Sequence, residues 1–344
     1  MSKTFLLIDG MNMFFRGAYT VSPTAPIDMI VGMSLHTVLN CMRKAWRKFD
    51  GEHAVLCLEG KSWRKGFYPP YKLKREIARK AKSQTEKEND QLMLEAFGEL
   101  CTFISEKTNT TVLRHSKAEA DDMIALFIQS HPDDKHVIVS TDTDFIQLLK
   151  HKNVTIYNGV QDIYMTHEGV FDNKDNKLSF EFKSDGKLKL GKPDPNFVSM
   201  DKWYEYVTFI KIIRGDTSDN IFSAYPGCRL RGTKNRIGIT EAFNDRESRG
   251  FIWNNFMQQR WEDVDNVEHK VRDKYELNKL LIDLEQQPED IKIGCITAIH
   301  EATGKQVPTQ QIGFSFMKFC GSWDLKQIAN YPQDFLDIFA KRYN

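Results

Sequence analysis

Cysteine is scarce and scattered: the 344 residues hold six, Cys41, Cys57, Cys101, Cys228, Cys295 and Cys320. No CxxC pair occurs and no Cys/His spacing fits a zinc finger. That excludes a disulfide-stapled scaffold and leaves buried, reduced thiols as the expected state. No apolar run reaches membrane-spanning length, and Phe5-Leu6-Leu7-Ile8 is too short for a signal peptide. The expectation is a soluble, cytoplasmic protein with no membrane contact. Net charge is lacking too, since 48 basic side chains face 47 acidic ones, for a formal charge of +1. A uniformly basic polyanion binder is thereby excluded, and any nucleic-acid contact has to come from charge separated locally. None of the nine histidines sits beside the acidic clusters described below, which weighs against histidine-dependent nucleophilic chemistry. Repeats and low-complexity tracts are absent. Hydrophobic residues at 41 % and aromatics at 12 % suffice for a large core, and the length allows two ordinary domains or one with insertions.

The first half alternates short apolar runs with amphipathic stretches. Phe5–Ile8, Ala54–Leu58 and His136–Ser140 read as strands; Met29–Phe49, Glu88–Thr108 and Ala118–Gln129 read as helices. That rhythm predicts an α/β domain over residues 1–200, with a central, mostly parallel sheet flanked by helices. Residues 159–198 break the rhythm. Asp172–Lys177 and Ser184–Lys187 read as turns between short alternating strands, Leu178–Phe182 and Leu188–Leu190, so a solvated β-hairpin insertion is expected there. Pro193 and Pro195 mark a boundary. Residues 201–344 read as mostly helical, with loops at Pro226–Arg236 and Gln287-Pro288.

Carboxylates follow the strands. Asp9 ends the first, Glu59 follows the second, and Asp142 and Asp144 follow the third. In an open parallel sheet these ends share one edge, where ligand crevices form. Acids converging there repel one another unless cations neutralise them. Glu119, Asp121 and Asp122 open a helix, where Ser116-Lys117-Ala118-Glu119 equally fits a capping box. Asp216 and Asp219 lie in Arg214-Gly215-Asp216-Thr217-Ser218-Asp219-Asn220, which also has the composition of a turn. A donor set rich in aspartate suits hard ions, Mg²⁺ or Mn²⁺ rather than zinc.

Lys61–Lys82 carries nine Lys/Arg and one acid, Glu76, with Trp63, Phe67, Tyr68 and Tyr71 interleaved. Cations for phosphates and flat faces for bases make the composition of a single-strand-binding element. Most charge runs are solvated helix faces, but this one starts two residues after Glu59, beside the acidic crevice. Arg229, Arg231, Lys234 and Arg236 form a second basic group, suited to duplex phosphates and equally to an ordinary exposed loop.

Taken together these residues resemble the 5′-nuclease superfamily of flap endonucleases and 5′-3′ exonucleases. The matching pieces are Leu7-Ile8-Asp9-Gly10, Trp63-Arg64, Tyr71-Lys72-x-x-Arg75, Glu119-Ala120-Asp121-Asp122, Ser140-Thr141-Asp142-Thr143-Asp144-Phe145 and Gly215-Asp216-x-x-Asp219-Asn220, in the family's order. Within the superfamily the resemblance runs to the ribonuclease H of T-even bacteriophages. It extends there to Glu241–Glu247 and, more faintly, to Asn278–Ile291 and Phe316–Leu325, and it covers most of the chain but not residues 159–198.

The resemblance implies a PIN-like 5′-nuclease fold, an arch at about 61–95 and a helical region gripping duplex DNA. It also implies two Mg²⁺ ions, with Mn²⁺ as a substitute, held by Asp9, Glu59, Glu119, Asp121, Asp122, Asp142, Asp144, Asp216 and Asp219. Lys72 and Arg75 fall at the arch base as catalytic cations. Trp63, Arg64, Tyr68, Tyr71, Lys74, Arg79, Arg229, Arg231, Lys234 and Arg236 are the implied nucleic-acid contacts. The implied substrates are RNA–DNA and DNA duplexes with a 5′ end or flap, and the implied role is removal of RNA primers during phage replication. A single-stranded-DNA-binding protein and a sliding clamp are the implied partners, and a monomer is the default. Two departures stand out. Glu59 occupies the place of the family's Asp, and the glycine-rich loop that often binds K⁺ is disrupted at Ile221–Gly227, so K⁺ is not expected. A PIN-like endoribonuclease and a non-catalytic structure-specific DNA-binding protein are the alternatives.

Overall fold

The computed structural model describes residues 2–22, 24–183, 187–302 and 306–343. Its strands are β1 (Thr4–Asp9), β2 (His53–Cys57), β3 (Thr111–Leu113), β4 (Lys135–Val139), β5 (Val154–Asn158), β6 (Ile163–Thr166), β7 (Gly169–Asp172), β8 (Lys177–Phe182) and β9 (Leu188–Pro193). They form one sheet in the order β3-β2-β1-β4-β5-β6-β7-β8-β9. The pairings from β3 through β5 are parallel and those from β5 to β9 antiparallel.

Every residue of β1 and β2 is buried, as expected for parallel strands covered on both faces. The pleat sends Phe5 and Leu7 to one face, Leu6 and Ile8 to the other. Helices Ala120–Ser130 and Glu289–Glu301 cover the first face; Gly10–Ala18, Ile27–Lys48, Gln84–Lys107, Thr309–Ser322 and Pro332–Ala340 cover the second. Strand order reverses between β1 and β4, so a crevice is expected at their carboxyl ends. All six cysteines are unpaired. Among the described residues no helix is long and apolar enough to cross a membrane.

Two expectations need correction. Residues 159–198 are not a solvated hairpin. They extend the central sheet by four strands, and Ile163, Met165, Val170, Leu178 and Phe180 bury into the core shared with β1. A hairpin pattern does not say which edge it will pair with. Of the turn expected at 184–187, Ser184–Gly186 lie outside the described residues. Residue 200 does not divide two bodies either. Residues 203–282 form a helical body with its own core, including Tyr206, Phe209, Phe243, Phe256 and Val271. After Pro288 the chain returns to the sheet, where Cys295 and Ile299 join one face and Phe316, Phe335 and Phe339 the other. The arch segment is helical. Helix Leu73–Ala81 buries no residue, and Gln84–Lys107 first buries Met93. Local bonds support these helices: a capping box between Ser83 and Glu86 and an ion pair of 2.6 Å between Lys82 and Asp90.

Candidate active site

At the carboxyl ends of β1, β2 and β4 opens a cleft of about 680 Å³. Asp9, Glu59, Asp121, Asp142, Asp144, Asp216 and Asp219 all line it, with Lys72, Arg75, Lys211 and Arg214. Acids spread from residue 9 to residue 219 thus meet at one place, as the strand-end reading expected.

On the sheet side, the Asp9 carboxylate accepts the Ser140 hydroxyl at 2.9 Å and the Asn12 amide at 3.4 Å. The Asn12 side chain accepts the Thr141 N–H at 3.1 Å and its hydroxyl at 2.9 Å, tying the loop after β4 to the helix after β1. Glu59 accepts the Ala120 N–H at 3.2 Å, at the start of the helix carrying Asp121. Burial, then the charge of Glu59, pushes Asp9 up to about 7. Burial and Glu119 raise Glu59. Burial, followed by Asp9, Asp142 and Glu59, raises Asp121 well above the usual carboxylate range. These shifts share one main cause, acids crowded together out of water, which in Glu59 outweighs the opposing charge of Lys72.

The helical side differs. Lys211 Nζ pairs with Asp144 and, at 2.8 Å, with Asp216. Burial alone would raise Asp216, but Lys211 and Ser218 hold it at about 2. Asp144 remains raised because burial outweighs its lysine. Asp219 pairs with Arg75 at 2.6 Å and accepts the Tyr71 hydroxyl at 3.1 Å. A backbone turn sets this wall. Gly215 has φ +73°, and a Cβ there would lie 2.3 Å from the Ile221 carbonyl oxygen. The same turn is tied to the arch base: Lys72 N–H donates to Asp219 O at 2.8 Å and Asn220 Nδ2 to Pro70 O at 2.9 Å.

Several expected site residues lie elsewhere. Asp122 is fully buried and pairs with Arg64 through two bonds of 2.9 Å, while Trp63 Nε1 donates to it at 3.1 Å. Asp122 is therefore not a cleft ligand. Trp63 and Arg64, 7 % and 2 % exposed, have no surface to offer a base or phosphate. Arg64 also holds Glu119 at 3.1 Å and donates to the Leu281 carbonyl at 2.7 Å, locking the arch base to the helical body. Glu119 further accepts from Ser62, Tyr71 and Lys72. It is the N-cap of its helix, three residues after the cap expected at Ser116. Its carboxyl falls below the ordinary value because Lys72 and Arg64 overcome burial. Tyr71 is 3 % exposed, and its hydroxyl donates to Glu119 at 2.9 Å and to Asp219 at 3.1 Å. Tyr68 is half-buried, its hydroxyl donating to Asn220 O at 3.2 Å. Lys74 and Arg79 are exposed on the arch. Phe67, 56 % exposed, is the aromatic there most open to solvent.

Arg229, Arg231, Lys234 and Arg236 are exposed outside the cleft. Lys234 and Arg236 line a separate cavity of about 760 Å³ with Arg260. Glu241 holds the loop there, accepting the Gly232 and Gly238 N–H groups at 3.0 Å. Asn12, Lys211 and Arg214 are cleft residues that the sequence reading missed. The Arg214 Nε is buried with no hydrogen-bond partner among the described residues. The one signal for Lys211 was a cation inside the apolar helix Trp203–Arg214.

The family described as 5′-3′ exonuclease, N-terminal resolvase-like domain, matches residues 4–175, half of the chain. The chain belongs to the 5′-3′ exonuclease family. Curated proteins give no match. Among solved structures, a bacteriophage T5 protein co-crystallised with metal ions is 18 % identical, with a TM-score of 0.53 over 93 % of this chain and 99 % of that one. A bacteriophage T5 flap endonuclease in a pseudo-enzyme–product complex with DNA and metal ions has the same identity and TM-score, over 93 % of this chain and 100 % of its own. A T5 5′-exonuclease carrying zinc is likewise 18 % identical at TM-score 0.53, over 91 % and 98 %. At this identity the likeness is one of fold, and it spans both the sheet domain and the helical body.

The donor set of this exonuclease-family cleft fits a hard divalent ion. It offers carboxylate oxygens without thiol or imidazole, and the sheet-side acids form no Lys or Arg ion pair among the described residues. Among the described residues no three acidic, imidazole or thiol groups close on one point.

Proposed function

We propose that the protein is a Mg²⁺-dependent 5′-nuclease, hydrolysing phosphodiesters near the 5′ end or flap of DNA and RNA–DNA duplexes. The observation that carries this is the cluster Asp9, Glu59, Asp121 and Asp142, carboxylates that line one cleft and form no Lys or Arg ion pair among the described residues. Two such ions, at the sheet-side acids and at Asp144, Asp216 and Asp219, would lower the pKa of a water and offset charge on the leaving oxygen.

This chain's own residues do the rest. Lys72, Arg75 and Arg214 line the cleft as phosphate-binding cations, and fixed cations at the reacting centre offset charge that grows in the transition state. Lys211 holds Asp144 and Asp216 together until a ligand competes for them. Asn12 fixes the loop that carries Asp142. The arch and the helical body supply walls on either side of the acids, which favours a duplex end over the free single-stranded RNA of an endoribonuclease. Retention of Asp9, Asp142, Asp144 and Asp216 favours catalysis over mere binding. The biological role that fits is removal of RNA primers and adjacent DNA in phage replication, in the cytoplasm of the infected cell, with a single-stranded-DNA-binding protein and a sliding clamp as partners.

The test is cleavage of a 5′-flapped duplex and a 5′-RNA–DNA hybrid with Mg²⁺ and with EDTA. We expect products from the 5′ end or junction, lost with EDTA and in Asp142→Asn. Binding without cleavage, in both Mg²⁺ and Mn²⁺, would overturn the reading.

A further inference from the structure

Arg214 differs from the cleft cations around it. Lys72 pairs with Glu119, Arg75 with Asp219 at 2.6 Å, and Lys211 with Asp144 and Asp216. Arg214 lines the same cleft but makes no ion pair among the described residues, and its buried Nε has no acceptor among them. The backbone beneath it is fixed. Arg214 ends the helix Trp203–Arg214. Just before it, the Ile213 carbonyl accepts the Ser223 hydroxyl and the Ala224 N–H, both at 2.8 Å, and the Ile212 carbonyl accepts Asn278 Nδ2 at 2.8 Å. Just after it comes the Gly215 turn, which tolerates no Cβ. The charge of Arg214 also reaches the thiol of Cys228. The side chain therefore lies between the cleft and the loop that carries Arg229, Arg231, Lys234 and Arg236.

A cation in the last turn of a helix is favourable in itself, and a water would satisfy Nε. Neither supplies an anion for the charge, in a cleft where Lys72, Arg75 and Lys211 each have one. A guanidinium is a planar fork of donors that matches two oxygens of one phosphate. We infer that Arg214 is a phosphate anchor, and that its ligand is the phosphodiester next to the scissile one on the duplex side. The inference rests on the proposed nuclease reading and deepens it. The side follows from the walls. Lys72 and Arg75 stand at the base of the arch, whose helix Leu73–Ala81 buries no residue. Arg214 belongs to the helical body and adjoins its basic loop, suited to duplex phosphates.

Single-turnover cleavage of a 5′-flapped duplex with Mg²⁺, over a range of enzyme concentrations, separates binding from the rate at saturation. Wild type and Arg214→Met are compared on the unmodified substrate and on a set in which one phosphate at a time is a neutral methylphosphonate. We expect Arg214→Met to raise the half-saturating enzyme concentration about tenfold, the effect of losing hydrogen bonds to a charged group. A methylphosphonate on the duplex side of the scissile bond should do the same to wild type, and add less than about twofold in the variant. Arg214→Lys keeps the charge without the fork. It should lose about threefold with the same phosphate coupled, and it carries the test if Arg214→Met does not fold. Half-saturation equal to wild type in Arg214→Met would overturn the inference. So would methylphosphonate effects that are the same in both proteins, since a packing role singles out no phosphate. Coupling to a flap-side phosphate, or to the 5′-terminal monoester, would also overturn it. All three outcomes leave the proposed function standing. A wild type that cleaves no flap would overturn that function and the inference with it.

Discussion

On the sheet side of the cleft, Asp9, Glu59, Asp121 and Asp142 stand without a Lys or Arg ion pair among the described residues, and burial with mutual repulsion drives three of them upward. On the helical side, Asp144 and Asp216 share Lys211, and Asp219 has Arg75. Both banks are acidic and buried, so composition does not separate them. What separates them is who supplies the counter-charge. The first bank needs a cation from solution. The second carries its own, and a ligand arriving there has to displace or join it.

The largest expected effect is on the first bank. Asp121→Asn removes a half-buried carboxylate that forms no ion pair among the described residues and is raised by burial and by four neighbouring acids, Asp9, Asp142, Glu59 and Glu119. Loss of an ion's share of transition-state stabilisation, several kcal/mol, lowers single-turnover cleavage by on the order of 10³ or more. Repulsion is relieved at the same time, so the metal-free variant melts about 1–2 °C higher than wild type. A lower melting temperature would mean that these acids are not under mutual repulsion.

Gly215→Ala tests how the second bank is built. The positive φ and the close Ile221 carbonyl make alanine strained there, at about 1–3 kcal/mol for the backbone alone. Urea unfolding should show that loss. Displacing Asp216 and Asp219 by even an ångström or so should lower the rate by on the order of 10². Unchanged stability would show that the turn has a relaxed alternative.

These two banks were unequally legible in the sequence. Asp9, Glu59 and Asp142 could be placed because each ends a buried apolar strand, and parallel strands bring such ends to one edge. The parallel sheet itself was readable from the same runs, although β3, with three residues, was too short to register. Glu119, Asp121 and Asp122 were readable as acids but not by destination. Successive helical residues point about 100° apart, and only the fold shows that Asp121 takes the cleft while Asp122 turns to Arg64. Lys211 finds Asp144 across 67 positions of chain, a pairing that no local pattern encodes. Trp63 and Tyr71 looked like stacking aromatics because composition does not report burial. The strands of 159–198 showed their alternation, but not that they would join the central sheet and reach its cleft.

Lys211→Met sharpens the contrast by making the second bank resemble the first. Asp144 and Asp216 would lose their shared cation, and Asp216 would rise from about 2. Titration calorimetry with Mn²⁺, in the absence of substrate, should show divalent binding tightened by about tenfold, equivalent to about 1.4 kcal/mol. Flap binding should weaken, since a cation has left the cleft. Divalent affinity equal to wild type would mean that Lys211 and the ion do not compete for the same oxygens.

The smallest effect is a change in how pH and Mg²⁺ act together on stability. Asp9 stands at about 7 against an ordinary value of 3.8, so the folded state holds this proton more tightly than the unfolded chain. Its contribution to stability is complete at low pH and is lost as pH rises through 7. A divalent ion supplies the counter-charge that the proton supplied, and it competes with that proton. Thermal melts should therefore show Mg²⁺ raising the melting temperature by about 2–4 °C more at pH 8 than at pH 5. Asp9→Asn should flatten that difference because the position no longer titrates. Asp216 adds nothing to that rise, since it is already ionised at both pH values and paired with Lys211. An equal Mg²⁺ effect at pH 5 and pH 8 would mean that the ion does not compete with the Asp9 proton.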